Sequence, residues 1–142
     1  MNSDRDRAST PFTVEMYFRW SDQDPNGHIN NARAVTQMEE ARVRATRTWL
    51  GPGIYADSSR VVRALNAVFD KELVYGPVTG RVWVSRIGRT SYTVSHELLQ
   101  DGEVRAYGDA VIVVLDPESR RPAPLTGSIR AALEQARLND ER

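Results

Sequence analysis

The sequence predicts an α+β domain in which one long helix lies against one antiparallel sheet, and three features carry that prediction. A strand-period segment opens the chain, one long helix-period segment follows, and the second half is a run of β-rich segments separated by tight turn signals. No internal repeat or low-complexity linker interrupts the 142 residues, a length suited to one hydrophobic core. A single domain is expected over 11–138, between a flexible N-terminus (1–10) and a flexible tail (139–142), both polar.

The first strand runs from Phe12 to Trp20, where alternation puts Phe12, Val14, Met16, Phe18 and Trp20 on one face. Ser21-Asp22-Gln23-Asp24-Pro25-Asn26-Gly27 then reverses the chain. Pro presets φ, Asp and Asn bond their own backbone, and Gly accepts positive φ. Over 31–50 the period becomes helical, with Val35, Met38, Ala41 or Arg42, Ala45 and Trp49 three or four apart. Asn30 or Asn31 is the expected N-cap, and Gly51-Pro52-Gly53 the stop. A loop to about Ser59 leads into β segments at 61–74, 78–87, 91–99 and 103–115, whose short connections predict a four-strand meander. Ile129, Ala132, Leu133 and Ala136 mark a short C-terminal helix. Trp20, Trp49 and Trp83 fall on apolar phases as core or interface anchors, and His96 reads as a paired strand residue. A sheet of this size leaves free edges, so a homodimer or homotetramer is expected.

Composition narrows the function. The 19 Lys+Arg balance 19 Asp+Glu and no dense basic run occurs, which removes the usual footprint of nucleic-acid or membrane-surface binding. Without cysteine there is no thiolate nucleophile or Cys-ligated zinc, and two histidines are few for another metal site, so no metal is expected. The longest apolar stretch is far shorter than the roughly 20 residues that a membrane span needs. No apolar signal core begins the chain, so a cytoplasmic location is expected. Lys71 is the only lysine, so an isolated arginine carries little information in this chain.

Polar groups concentrate in Asp22-Gln23-Asp24-Pro25-Asn26-Gly27-His28-Ile29-Asn30-Asn31, at the start of the long helix. Unpaired N–H groups at a helix start, aided by the macrodipole, form a ready donor site for a developing oxyanion. At neutral pH an aspartate such as Asp24 is a base or a nucleophile. The same residues also make an ordinary surface turn and helix cap.

The run Asp24-Pro25-Asn26-Gly27-His28-Ile29-Asn30-Asn31-Ala32 resembles the Asp-x-x-x-His-(Val/Ile)-Asn-Asn-Ala pattern of the hotdog-fold thioesterases. These are the 4-hydroxybenzoyl-CoA thioesterase-like enzymes, and the plant fatty acyl-carrier-protein thioesterases share the spacing. Glu39-Glu40-Ala41-Arg42 is similar to a Glu-Glu-Ala-Arg on the family's central helix, and Gly88-Arg89-Thr90-Ser91 to its third-to-fourth strand turn. The resemblance implies a hotdog fold: a long central helix wrapped by a five- to six-stranded antiparallel sheet, with 11–138 as the thioesterase domain. It implies hydrolysis of fatty or aromatic acyl-CoA without a cofactor, coenzyme A being part of the substrate. An acyl-carrier-protein substrate is the alternative.

Carried over by position, Asp24 is the catalytic carboxylate, as nucleophile or general base, and the N–H groups near Asn30 and Asn31 polarise the thioester carbonyl. Asn26, His28 and Asn31 join the catalytic set, while Gly27, Asn30, Arg89, Thr90 and Ser91 are substrate-binding candidates. Glu72 matches a glutamate used by the plant enzymes. Another family variant takes its carboxylate from the central helix, which would be Glu39 or Glu40, although Glu40 and Arg44 are also spaced for an i,i+4 ion pair. Relatives that dehydrate 3-hydroxyacyl thioesters carry a His-Phe-Pro-Gly-type signature, which this chain lacks. A non-catalytic acyl-thioester-binding protein is a further alternative on the same scaffold.

Overall fold

A computed structural model describes residues 10–138; most of the N-terminal stretch and the whole tail expected to be flexible lie outside the described residues. The elements are β1 (Phe12–Phe18), a 3-10 turn (Trp20–Asp22), α1 (Asn31–Asp57), β2 (Ser59–Phe69), β3 (Gly76–Ile87), β4 (Ser91–Gln100), β5 (Glu103–Leu115) and α2 (Gly127–Gln135). The strands form one antiparallel sheet of order β1-β3-β4-β5-β2.

The helix docks through small residues. Ala34, Met38, Ala41 and Ala45 are buried against Met16, Phe18, Val78, Val82, Val94, Leu98 and Ala110 of the sheet. The buried face includes Ala34 and Leu50, whereas Val35 and Trp49 sit at its flank, because the 3.6-residue period drifts around the axis over five turns. The stop at Gly51 is real but brief. Gly51 takes φ 79°, ψ 161°, and helix resumes through Asp57 where a loop was expected. Pro52 is suited to that restart, since a first-turn position has no intrahelical use for an N–H.

Three expectations are corrected in the strands. Trp20 is 73% exposed, because the chain leaves β1 after Phe18 and enters the 3-10 turn. Trp83 is buried, and Trp49 packs partly buried against the core. The meander has three strands, not four: β3, β4 and β5 are consecutive neighbours, while β2 lies beyond β5 with Phe69 opposite Ala106. β2 also ends at Phe69, short of Val74. Residues 70–75 therefore cross the end of the β4–β5 hairpin, about 14 Å for three strand spacings and within reach of six extended residues.

The crossing survives because its backbone finds side-chain partners. Buried Gln100 accepts from the Val74 N–H at 2.9 Å and donates to the Val74 carbonyl at 2.8 Å and the Pro77 carbonyl at 3.0 Å. Arg105 donates to the Glu72 carbonyl at 3.2 Å, and its own carbonyl accepts the Asp70 and Lys71 N–H groups. His96 is fully buried in mid-strand opposite Val82 and Gly108.

β2 also rides unusually close to β5. A Cβ on Gly108 would stand 1.9 Å from the Asn66 carbonyl oxygen. Gly108→Ala is expected to destabilise the fold by about 2 kcal/mol. Thermal unfolding should show a Tm several degrees lower, and an unchanged Tm would mean that β2 relaxes freely.

Candidate active site

Two side-chain carboxylates shape the segment before α1. Asp22 is 4% exposed, and its Oδ2 accepts the Arg19 N–H at 2.8 Å while Oδ1 accepts from the Arg19 guanidinium at 3.1 Å. Burial pushes its carboxyl pKa up, but those bonds and the charges of Arg19 and Arg33 outweigh it and hold the group below its ordinary value. The Asp22 carbonyl also receives the Asn30 N–H at 3.0 Å, which fixes the entry to the helix.

Between them, 24–28 form a closed turn. The Asp24 N–H donates to the His28 carbonyl at 2.7 Å, and the Gly27 N–H donates to the Asp24 carbonyl at 3.0 Å. Asp24 Oδ1 accepts the N–H groups of Asn26 (2.9 Å) and His28 (3.2 Å). Gly27 closes the turn at φ 81°, the left-handed region where a side chain would be strained. One carboxylate oxygen is thus fixed by backbone donors, and the other has no hydrogen bond among the described residues.

Asn30 is the N-cap: its side chain accepts the Ala32 N–H at 2.8 Å, and its carbonyl receives the N–H groups of Arg33 and Ala34. With the Asn30 N–H given to Asp22, the Asn31 N–H is the one first-turn donor without an acceptor among the described residues.

The Ile29 N–H donates to the Leu73 carbonyl at 2.8 Å and so ties this turn to the crossing segment. Between them opens a cleft of about 520 Å³, lined by Asp24, His28, Ile29, Asn31, Phe69, Asp70, Lys71, Glu72 and Leu73. His28 Nε2 lies 3.1 Å from Glu72 Oε2. The cleft thus gathers Asp24, His28, Asn31 and Glu72. Asn26 and Gly27 stay on the exposed outer side of the turn.

The remaining candidates lie elsewhere. Arg89, Thr90 and Ser91 occupy the β3–β4 turn, at the opposite end of β3 and roughly 35 Å along the strand from its start. That turn is held by the Leu125 N–H to the Arg89 carbonyl and the Val114 N–H to the Thr90 carbonyl. Glu40 pairs with Arg44, and Glu39 with Arg42 at 3.4 Å; neither lines the cleft.

Sequence reasoning passed over Phe69, Asp70 and Lys71, whose only signal was their adjacency to Glu72. Lys71 pairs with Glu103, and that ammonium holds the Glu103 carboxyl below its usual range. Among the described residues no group of three or more His, Cys, Asp or Glu side chains could hold a metal ion, and no helix is long and apolar enough to cross a membrane.

A carboxylate, an uncommitted helix-start N–H and a histidine–glutamate pair converge on one cleft, on a long helix packed against a five-stranded antiparallel sheet. The architecture is the hotdog fold. The sequence profile of the thioesterase-like superfamily matches residues 18–133, and the chain belongs to that family; it is a thioester hydrolase.

Solved structures agree. A predicted thioesterase from Bacillus stearothermophilus superposes with a TM-score of 0.83 at 29% identity, covering 91% of this chain and 98% of that one. A Thermus thermophilus thioesterase in complex with coenzyme A and Zn gives 0.79 at 32% identity, covering 88% and 98%. The DHNA-CoA thioesterase of Staphylococcus aureus, 24% identical with a TM-score of 0.71 and 80% and 79% coverage, shares the fold. A comparison with curated proteins gives no significant match.

Because the Asp22 pKa is lowered on folding, its contribution to stability is complete above its ordinary value of 3.8 and is lost as pH falls through the lower folded value. Asp22→Asn is expected to cost about 1–3 kcal/mol at neutral pH. Urea unfolding should show that difference shrinking as pH falls below 3.8 and through the lowered folded value, and a pH-independent difference would assign the loss to packing.

Proposed function

We propose that the protein hydrolyses an acyl-CoA thioester, with the Asp24 carboxylate attacking the carbonyl or activating the attacking water. The observation that carries this reading is the meeting of Asp24 and the Asn31 N–H in one cleft at the start of α1. Thioester hydrolysis breaks the acyl C–S bond, adds a water oxygen to the acyl carbon and leaves the sulfur as thiol. As the carbonyl becomes tetrahedral, its oxygen gains charge that the Asn31 N–H and the helix dipole stabilise.

Asp24 suits its role because Oδ1 is anchored by two backbone donors, so the free oxygen is presented without a side-chain entropy cost. In this reading His28, 3.1 Å from Glu72, passes a proton to the departing sulfur. Asn31 contributes its backbone, while Asn30 and Gly27 support the cap and the turn.

The working unit in this reading is a two-fold dimer paired through β2. That strand is a sheet edge on which Val61, Val62, Leu65 and Phe69 are 37–46% exposed. An uncovered edge of this composition invites a matching strand. Full-length antiparallel pairing sets Phe69 of one chain beside Ser59 of the other. Ser91 aligns with Val113, which lies opposite Val61, so the partner's 88–91 turn comes to the end of the dimer that holds the cleft. Arg89, Thr90 and Ser91 then serve the neighbouring site and contact the coenzyme A portion.

Free-thiol release from acetyl- to palmitoyl- and aromatic acyl-CoAs tests the chemistry, with no protein cysteine to add background. Asp24→Asn should lower kcat by at least about 100-fold with the fold intact. Near-wild-type turnover would remove Asp24 from the mechanism, and no turnover of any CoA ester by the wild type would point to an acyl-carrier-protein substrate. For the dimer, sedimentation should give twice the chain mass of 16.0 kDa, and Leu65→Arg should yield an inactive monomer. A monomeric wild type that is fully active would refute the pairing.

A further inference from the structure

A second pocket, which the proposed chemistry does not use, lies midway along α1 on the side turned to β2. It has a volume of about 190 Å³, and Arg42, Arg60, Tyr55 and Tyr92 bring its polar groups, with Val43 and Ile112 among its apolar walls. Arg42 is 7% exposed, and Glu39, on the solvent side, is its one carboxylate partner among the described residues, at 3.4 Å. The Arg60 guanidinium stacks 4.0 Å over the Tyr55 ring, and Nη1 alone bonds to the protein, at the Tyr55 and Ser58 carbonyls and Ser58 Oγ. Its Nε and Nη2 donors have no acceptor among the described residues. A third guanidinium, Arg47, sits 5.6 Å from the same ring.

Tyr92 is 2% exposed, and its hydroxyl has no hydrogen bond among the described residues. Burial pushes the phenol up to about 12 against the pull of Arg60 and Arg42, so it remains a proton donor throughout the neutral range.

Two guanidiniums sharing a small, partly desolvated pocket with one outlying carboxylate repel each other unless an anion enters. The donors match a carboxylate: a planar fork from Arg60, charge from Arg42, and an O–H from Tyr92. The volume is that of about six water molecules, enough for a carboxylate on a few carbons and too small for an adenine nucleotide.

We propose that this pocket receives a carboxylate borne on a short apolar stem, and that the preferred substrate is a thioester whose acyl group ends in a second carboxylate. The inference rests on the thioesterase reading and on the β2 pairing, which sets Arg60 of one chain beside the Phe69 end of the other, where the partner's cleft opens.

The test compares glutaryl-CoA with valeryl-CoA, which match in chain length and in the coenzyme. The wild type should favour glutaryl-CoA by at least about tenfold in kcat/KM, or about 1.4 kcal/mol. Tyr92→Phe and Arg60→Gln should each lower that ratio at least fivefold, and the first removes a single oxygen, so folding is preserved. Free glutarate should raise the Tm of Asp24→Asn but not of Arg60→Gln, a readout independent of turnover. No preference in the wild type, or equal losses on both esters, would overturn the proposal. So would a variant that weakens binding of free coenzyme A and leaves glutarate unaffected, since the anion would then be a nucleotide phosphate. If no CoA ester is turned over yet glutarate protects as described, the acyl-CoA reading fails while the carboxylate pocket stands.

Discussion

The site depends on one hydrogen bond between two loops, from the Ile29 N–H to the Leu73 carbonyl. One side of the cleft is the turn before the helix and the other is the segment that crosses from β2 to β3. Neither belongs to a regular element, so neither would hold its place by ladder bonds alone. Gln100 and Arg105 supply the crossing segment with the partners that a neighbouring strand would have given. The bond at Ile29 then transfers that rigidity to the turn. A cleft walled largely by loops thereby inherits the order of the sheet beneath it.

Two aspartates only two residues apart have different surroundings. Asp22 is buried and spends both oxygens on Arg19, so its charge is consumed in fixing the chain. Asp24 is half-buried at the cleft and spends one oxygen on its own turn. The first stays ionised through its partners; the second lines the cleft with one oxygen that has no hydrogen bond among the described residues. The alternation of the extended backbone sends adjacent odd and even positions to opposite sides, yet these two share parity. What separates them is that Asp22 closes the 3-10 turn at Trp20–Asp22, whereas Asp24 lies beyond it in the turn that precedes α1.

Local signals made much of this legible. The period change at Asn31, the N-cap at Asn30, the span of β5 and the C-terminal helix follow from spacing and caps that operate within a few residues. The position of β2 was not legible, because pairing with β5 depends on which edge is free after the β3–β4–β5 hairpins form, and short connections alone favour sequence neighbours. Trp20 was misplaced for a related reason: alternation continues through it, while the 3-10 turn that ends the strand leaves no periodic mark. In the cleft, Asp24, His28 and Asn31 were visible as one contiguous motif. Phe69, Asp70 and Lys71 were not, since only the crossing segment's path brings them there.

That path has a practical consequence for Lys71. In a chain whose other basic side chains are arginines, it is the single side-chain amine, and it stands on the wall of the cleft. An amine-directed reagent therefore meets one side-chain address on the protein, and that address is beside Asp24 and Glu72. A fluorophore or spin label attached there, displacing the contact with Glu103, would sense the cleft filling and emptying without any residue being engineered into the chain.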